Sequence, residues 1–335
     1  MAALRAGLVG AGMMGRNHAR VLASLDGVEL VGVADPAGDQ HGASAGARVV
    51  SSVSELLEIG IDLAVVAVPT AFHLAAGLEL AAAGVHTLIE KPLATDEAEC
   101  RQLVAAFDAA GLVGCVGHIE RCNPALRALR ERLENGELGE VYQVATRRQG
   151  PFPNRIGDVG VVKDLATHDI DLTAWLIQSR YVSVAARMQH KSGRAHEDLI
   201  SITGQTADGT VTNHLVNWLS PLKERVTVVT GERGAFVADT LQADLTFHAN
   251  GVVGTEWDQV ASFRGVAEGD STRFAIHKPE PLRVQHERFR DAILGVSNDT
   301  VTMREGLATV VVADACIRSA YEGRTIDLSS WSAQR

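Results

Sequence analysis

Aromatic residues are scarce in this chain: phenylalanine, tryptophan and tyrosine together make up 4% of its 335 residues. Aliphatic residues and alanine dominate instead, a composition that suits helices packed on a parallel sheet. Cysteine is also rare, and the four cysteines form neither a CxxC pair nor a regular framework. We therefore expect reduced thiols in a cytoplasmic protein rather than a disulfide scaffold. These residues are Cys100, Cys115, Cys122 and Cys316.

Basic patches and long apolar runs are missing as well. The formal net charge of −10 makes a nucleic-acid partner unexpected, because binding to a phosphate backbone needs a basic face. No window of membrane-spanning length lacks an ionisable residue, so we predict no association with a membrane. The apolar run after Arg5 superficially resembles a signal peptide, but glycines at turn-forming spacing interrupt it, and we expect it to belong to the fold.

The length of the chain predicts about two domains. In the first third, short continuous apolar segments alternate with segments of helical periodicity, which is typical of a doubly wound parallel sheet. Strands are predicted at residues 4–9, 28–34, 63–68, 85–89 and 112–117, and helices at residues 13–24, 71–83 and 96–110.

The pattern changes near residue 120, where the strands become longer and alternate between apolar and polar residues. Turns that contain glycine and aspartate, such as Ala207-Asp-Gly209, indicate hairpins. This pattern is typical of an antiparallel sheet with one exposed face. Strands are predicted at 141–147, 199–206, 211–218 and 225–230, and helices at 124–133, 281–294 and 304–321.

A glycine motif, Gly10-Ala-Gly12-Met13-Met14-Gly15, follows the first predicted strand and opens the first predicted helix. Glycines at this spacing permit a tight turn and let the main chain approach a pyrophosphate, which the helix N-terminus attracts. Asp35 ends the second strand, where its carboxylate can accept hydrogen bonds from ribose hydroxyls and repel a 2′-phosphate. The motif therefore predicts NAD rather than NADP, although Asp35 also suits a turn before Pro36.

Two further segments carry residues with catalytic chemistry. Glu90-Lys91-Pro92 follows the strand at 85–89, at the edge that faces the ligand crevice of an open α/β sheet. A lysine there can stabilise an alkoxide as a fixed positive charge, and a solvated surface lysine is the alternative. Asp164 and His168 are four residues apart at the predicted start of a helix, which places them on one face. A neutral imidazole beside a carboxylate suits proton transfer near pH 7.

With Pro69-Thr-Ala-Phe-His73 and Ala83-Gly-Val-His86, these motifs resemble the Gfo/Idh/MocA oxidoreductases over about residues 4–323. The resemblance implies a Rossmann domain at 1–119 and a second α/β domain at 120–335, whose open, mainly antiparallel sheet serves substrate binding and oligomerisation. It also implies that Lys91, Asp164 and His168 are catalytic and contact the substrate. The residues it implies for NAD binding are Gly10, Gly12, Met13, Met14, Gly15, Asp35, Pro69, Thr70, His73, Glu90 and Lys91.

Residues 117–124, 148–155 and 160–171 resemble the nucleotide-sugar branch of this family, with Cys122 in place of an expected aromatic residue. Arginines in these segments can bind a diphosphate or carboxylate of the substrate through paired hydrogen bonds. Surface charge or interdomain pairing is the alternative for each of them. Asn123 is likewise either a substrate contact or a helix N-cap. The predicted substrate contacts of this kind are Arg121, Asn123, Arg148 and Arg155.

The predicted reaction is hydride transfer between NAD and a secondary hydroxyl, of the C3 type, on a nucleotide-linked amino sugar or uronate. The alternatives are a myo-inositol or free-sugar dehydrogenase and, with less support, a non-enzymatic dinucleotide-binding regulator. His168, Asp169 and Asp171 have the chemistry of metal ligands, but a lysine electrophile makes a metal unnecessary, and none is expected. Amphipathic strands such as 211–218 leave a sheet face to cover, which predicts a homo-oligomer. The resemblance to the family implies that this oligomer is a homodimer or homotetramer.

Overall fold

The protein is described by a computed structural model that covers residues 2–152, 159–251 and 267–333. The chain forms two compact units. The first comprises Met1–Ile119, Glu280–Asp314 and Ser332–Arg335, and the second comprises Glu120–Pro279 and Ala315–Trp331. We expected residues 120–335 to form one continuous domain, but the segment Glu280–Asp314 belongs to the first unit. Its Phe289 is buried in the core of the first unit. The assignment of substrate binding and oligomerisation to 120–335 stays a prediction.

The first unit is built on a parallel sheet. Its strands are β1 (Leu4–Val9), β2 (Val28–Ala34), β3 (Arg48–Val50), β4 (Leu63–Val66), β5 (His86–Ile89) and β6 (Gly114–Val116). They lie in the order β3-β2-β1-β4-β5-β6, and every neighbouring pair is parallel. The strand order reverses between β1 and β4, so the loops after these two strands flank the position where doubly wound sheets bind ligands.

The α-helices of both units are numbered in chain order. They are α1 (Met13–Leu22), α2 (Val53–Glu58), α3 (His73–Ala82), α4 (Glu97–Ala110), α5 (Pro124–Glu134), α6 (Thr167–Ile177), α7 (Pro281–Ile293) and α8 (Met303–Glu322). Helix α4 shows why such segments begin and end where they do. Asp96 accepts a hydrogen bond from the Glu99 amide at the N-terminus, and Gly111 ends the helix in the left-handed conformation.

The second unit contains a mixed sheet. Its strands are β7 (Val141–Pro151), β8 (Tyr181–Gln189), β9 (Leu199–Thr206), β10 (Val211–Asn217), β11 (Leu219–Gly231), β12 (Gly234–Asp239), β13 (Asp244–Gly251), β14 (Ala267–Arg273) and β15 (Ile326–Asp327). Their order is β14-β13-β12-β11-β7-β10-β9-β8-β15. Strands β7 and β10 pair in parallel, and the other neighbouring pairs are antiparallel.

The two faces of this mixed sheet differ. Helices α5 and α6 pack on one face, where Leu126, Leu172 and Phe236 belong to a continuous buried core. On the strands that alternate in burial, the opposite face carries half-exposed side chains such as Leu215 and Val228. That face is the surface on which the prediction of an oligomer depends.

The predicted fold class is confirmed: a doubly wound parallel sheet is followed by a mainly antiparallel one. Most predicted strands and helices are present with ends that differ by a few residues. The short elements β3 and α2 were not predicted. Asp164, expected at the start of an α-helix, lies instead in a π-helical turn, Val162–Ala166, ahead of α6. All four cysteines are buried thiols. None of the described helices combines the length and apolar character that a membrane crossing requires.

Candidate active site

The glycine motif forms the loop between β1 and α1. Gly10 has a φ of +98°, and a Cβ there would lie 2.7 Å from the carbonyl oxygen of Ala67. A Cβ on Gly15 would lie 2.0 Å from the carbonyl oxygen of Gly10. The protein's own packing therefore requires the first and third glycines. A Cβ on Gly12 would meet no protein atom within 4 Å, so this position is open to a ligand.

The N-terminus of α1 is suited to an anion. Gly12 is the N-cap residue, no side chain caps the helix, and its first turn contains no acidic residue. Main-chain amides of the first turn, to which Met13 and Met14 belong, can therefore donate to a phosphate, and the helix dipole favours negative charge there. With the open position at Gly12, this loop fits the pyrophosphate of a dinucleotide.

Asp35 follows β2 and is half-buried. One carboxylate oxygen accepts a hydrogen bond from the amide of Ala11 (2.8 Å), and the other accepts from the amide of Ala37 (2.8 Å). Asp35 thus holds the glycine loop in place and also forms the turn that was the alternative interpretation. Each oxygen retains a lone pair, so the carboxylate can still accept from a ribose hydroxyl.

The segment after β4 contains the other predicted cofactor residues. Pro69 precedes a 3₁₀ turn, Thr70–Phe72, in which Thr70 is buried. The imidazole of His73 is buried, with Nδ1 2.9 Å from the carbonyl oxygen of Pro92 and Nε2 3.0 Å from that of Val68. Burial lowers the pKa of His73. The ring joins two loops of the protein, so an effect on the cofactor would be indirect.

Glu90 and Lys91 directly follow β5. Lys91 is half-buried and its peptide bond to Pro92 is cis, whereas Glu90 is almost fully buried. One oxygen of Glu90 accepts from the Lys91 amide (3.1 Å), and the other lies 2.9 Å from Nε2 of His18. Burial opposes ionisation of Glu90, but its hydrogen bond with His18 and the charge of Lys91 lower its pKa overall. The Glu90 carboxylate is therefore anionic.

Asp164 and His168 belong to the second unit. Asp164 is buried in the π-helical turn Val162–Ala166, and His168 is half-buried in the first turn of α6. Glu197 fixes the start of this turn, because its carboxylate accepts a hydrogen bond from the amide of Val162 (3.0 Å). π-Turns occur frequently at functional sites. The sequence spacing identified the pair but not the wider turn that carries Asp164.

Arg121 and Arg148, predicted to contact substrate, are buried in ion pairs within the second unit. Arg121 donates two hydrogen bonds to the carboxylate of Asp171 (2.8 and 2.7 Å). Arg148 donates through Nε to Asp169 (3.0 Å) and through Nη1 to Glu120 (2.7 Å). Each arginine thus already binds a carboxylate of α6, the helix that carries His168. The geometry supports pairing within the unit rather than a guanidinium presented to a ligand.

Asn123 is the N-cap residue of α5, as the second of its two interpretations predicted. Its Oδ1 accepts a hydrogen bond from the amide of Ala125 (3.0 Å) at the start of α5, and its Nδ2 donates to the carbonyl oxygen of Thr240 (3.0 Å). The side chain therefore has a structural role in the second unit. Arg155, the remaining predicted substrate contact, lies outside the described residues.

Several roles in these two sites were not foreseen in the sequence. Asp169 and Asp171, considered there only as metal ligands, instead anchor α6 through ion pairs. His18 and His286, which contact Glu90 or one another, were not singled out at all. A signal for His18 did exist, because it lies three residues after Gly15 and one before Ala19, on the buried side of an amphipathic helix. Such a position usually holds an apolar residue, so a histidine there indicates a polar partner.

Comparison with known proteins gives two family matches. Residues 4–118 match the family model described as "Oxidoreductase family, NAD-binding Rossmann fold" of the Gfo/Idh/MocA group. Residues 126–237 match the "GFO/IDH/MocA C-terminal domain". Together the two models cover more than half of the chain and include the glycine loop, Glu90-Lys91-Pro92 and the turn with Asp164 and His168.

Individual relatives fall into two substrate classes. The UDP-N-acetylglucosamine 3-dehydrogenase of Acidithiobacillus ferrooxidans is 34% identical over 55% of this chain and 57% of its own length. Its solved structure superposes with a TM-score of 0.83 at 26% identity, over 96% of this chain and 99% of that one. Inositol 2-dehydrogenase 2 of Saccharopolyspora erythraea is 27% identical over 95% of this chain and 94% of its own.

A third relative was solved with ligands. The WlbA dehydrogenase from Bordetella pertussis, in complex with NADH and UDP-GlcNAcA, has a TM-score of 0.81 to this chain and is 25% identical. The match covers 98% of each chain.

Proposed function

Because this chain belongs to the Gfo/Idh/MocA family of oxidoreductases and its first unit is an NAD-binding Rossmann fold, we propose that it interconverts a secondary hydroxyl of a sugar and the corresponding ketone. The chain is a dehydrogenase that uses NAD. The observation that carries the proposal is the presence of Lys91 at the carboxyl end of β5 and of Asp164 and His168 at the start of α6.

Each of these side chains has a proposed chemical task. Bound NAD supplies the acceptor for the hydride that leaves the carbon of the substrate. His168 takes the hydroxyl proton as general base and returns it in the reverse direction. Lys91 stabilises the negative charge that develops on the substrate oxygen. Asp164 orients the imidazole of His168 and stabilises its charged form after proton transfer.

Alanine substitutions test these roles. His168→Ala and Lys91→Ala should each lower kcat by about 10²–10⁴-fold, the usual contribution of an acid–base or charge-stabilising group. His248→Ala is the control, because His248 is an exposed histidine on β13. The mechanism is wrong if both active-site variants retain wild-type turnover.

The substrate we favour is a nucleotide-linked amino sugar or its uronate, oxidised at C3. Similarity to the UDP-N-acetylglucosamine 3-dehydrogenase and to the structure with bound UDP-GlcNAcA supports this choice. One argument for a nucleotide sugar is lost, however. Arg121 and Arg148 are paired with buried carboxylates, so their guanidinium groups are no longer evidence for a diphosphate on the substrate. The second candidate is myo-inositol, which is favoured by a match to an inositol dehydrogenase over nearly the whole chain.

A substrate screen separates the two candidates. NADH formation should be followed with UDP-N-acetylglucosamine, its uronate, myo-inositol and free hexoses at equal concentrations. We expect turnover with a UDP-linked sugar. Efficient oxidation of myo-inositol, together with no calorimetric binding of UDP-sugars at millimolar concentration, would assign the enzyme to the second candidate.

We also propose that the protein is a homodimer or homotetramer, in which a second copy covers the half-exposed face of the mixed sheet. Apolar side chains such as Leu215 and Val228 on that face support the proposal, because large uncovered apolar patches are unusual on monomers.

A further inference from the structure

Three buried polar side chains of the first unit have no task in the reaction proposed above. His18 on α1, His286 on α7 and Glu90 after β5 are 0%, 1% and 8% exposed, respectively. Nδ1 of His18 lies 2.9 Å from Nε2 of His286, and Nε2 of His18 lies 2.9 Å from a carboxylate oxygen of Glu90. The imidazole rings meet edge to face at 88°. The three groups thus form a continuous hydrogen-bonded chain, called here the His286–His18–Glu90 chain.

The protons of this chain can be assigned. Burial places the pKa of His286 well below its ordinary value, so the ring is neutral and carries one N–H. Nδ1 of His286 is buried and has no hydrogen-bond partner among the described residues. A buried N–H without a partner is costly, so the proton lies on Nε2 and is donated to Nδ1 of His18.

The remaining assignment follows from the first. Because Nδ1 of His18 accepts, its Nε2 carries a proton and donates to Glu90. The carboxylate ends the chain as an anion. Each donor therefore points toward Glu90, and reversing one tautomer would break the contact next to it.

The opposite side of the Glu90 carboxylate is also fixed. Its second oxygen accepts from the amide of Lys91. A Cβ on Gly117 would lie 2.9 Å from one Glu90 oxygen and 3.2 Å from its Cα, so the main chain after β6 passes directly against Glu90 and a side chain at position 117 would displace it. Glu90 is thus held by α1, the end of β6 and the peptide group of Lys91.

We propose that His286 and His18 are positioning residues that fix the carboxylate of Glu90 and, through it, the main chain of Lys91. The inference rests on the proposed function, in which Lys91 stabilises the substrate oxygen. A fixed peptide group restricts where the lysine side chain begins, and a catalytic charge displaced by about 1 Å can lose about 10²-fold in rate. Helix α7 thereby acts on the reaction without contacting a substrate.

The decisive comparison is between two substitutions of one residue. His286→Gln retains an amide N–H near the position of Nε2, whereas His286→Leu has similar bulk and no donor. We expect His286→Leu to lower kcat by about tenfold or more. This factor corresponds to the loss of one hydrogen bond in a hydrogen-bonded chain that ends on a charged carboxylate. His286→Gln should stay within about threefold of wild type, and the NADH dissociation constant should be nearly unchanged in both.

His86→Gln is the matched control, since this half-buried histidine lies at the opposite end of β5 and accepts a hydrogen bond only from the Val113 amide among those observed. It should leave kcat unchanged. A purely structural role of His286 would affect the glutamine and leucine variants alike and would overturn the proposal. So would a leucine variant with wild-type kcat.

Nuclear magnetic resonance provides a readout that does not depend on turnover. In wild-type protein labelled with ¹⁵N-histidine, the ring signals of His18 and His286 can be assigned because each disappears in the corresponding variant. The wild-type chemical shifts of these signals should be those of neutral rings protonated at Nε2. A ring of His286 protonated at Nδ1, or a charged one, would overturn the assignment.

If the wild-type enzyme oxidises none of the sugars offered, the proposed function fails and the positioning question is answered separately. The chain contains only five lysines, so the ε-carbon signal of Lys91 can be identified in lysine-labelled protein by one substitution. A shift of that signal in His286→Leu but not in His286→Gln supports the positioning role. An unchanged signal in both variants overturns it.

Discussion

Replacing Arg148 by leucine removes the cation from a buried cluster that contains two carboxylates. Arg148 and Asp169 are 4% and 1% exposed, and Glu120 completes the cluster. Burial raises the pKa of Asp169 even with Arg148 beside it, which shows how unfavourable the charge is at this depth. Breaking a buried pair by removing one partner typically costs about 3–5 kcal/mol. We expect the free energy of unfolding to fall by that amount in Arg148→Leu.

The neighbouring residue supplies the control. Arg147 lies on the same strand, but its side chain is 59% exposed and pairs with Glu224 at 2.7 Å. An exposed pair contributes only about 0–1 kcal/mol, so Arg147→Leu should unfold close to wild type in urea. In thermal unfolding, a loss of 3–5 kcal/mol should lower Tm by roughly 6–20 °C for a unit of this size.

A double variant separates the ion pair from the packing of the arginine. In Arg148→Leu/Asp169→Leu no charge of that pair is left buried, and much of the lost stability should return, since apolar replacements of buried pairs are often neutral. This reasoning is wrong if Arg148→Leu keeps wild-type stability and NADH affinity but loses affinity for a UDP-sugar. Arg148 would then be a substrate contact.

Three further predictions concern the cofactor, the pH dependence and the assembly. Wild-type protein should bind NADH more tightly than NADPH in fluorescence titrations, and Asp35→Ala should narrow the difference; equal affinities would contradict the role of Asp35. Burial lowers the pKa of His214 to about 3. Because the unfolded chain then binds a proton that the folded chain does not, stability should fall as pH decreases from about 6.5 toward 3, by about 1.4 kcal/mol per pH unit. Urea midpoints measured across this range should show a smaller slope in His214→Gln, and an unchanged slope would assign the effect elsewhere. Leu215→Glu should shift the protein toward the 35.6 kDa monomer in light scattering, and a wild type that is already monomeric at micromolar concentration rules out the proposed assembly.

Local patterns predicted the first unit well. Strands β1 and β2 were placed with their observed ends, because each is an apolar run bounded by a glycine or proline turn. Strand β3 has three residues and helix α2 has six, and elements this short give too little periodicity to recognise. In the second unit, β12 follows a two-residue turn after β11 and was hidden by the glycines and charges around it.

The glycine loop and Glu90-Lys91-Pro92 were likewise predictable, because neighbouring residues in the sequence determine their geometry. The roles of Arg121 and Arg148 were not. A guanidinium binds a carboxylate of its own protein and a phosphate of a ligand through the same paired hydrogen bonds. Only the position of the partner decides between them, and these partners are 50 and 21 residues away in the chain. For His18 and His286 the separation is 268 residues.

Helix α6 divides its polar residues between two tasks. Consecutive residues of a helix point about 100° apart, so His168 and Asp169 cannot face the same direction. Asp169 and Asp171 are buried against Arg148 and Arg121, which fixes the rotation of the helix about its axis. A metal bound by His168, Asp169 and Asp171 would have to displace both buried arginines, leaving two cations without partners. The ion pairs therefore favour the interpretation in which the two aspartates orient the helix and do not bind a metal.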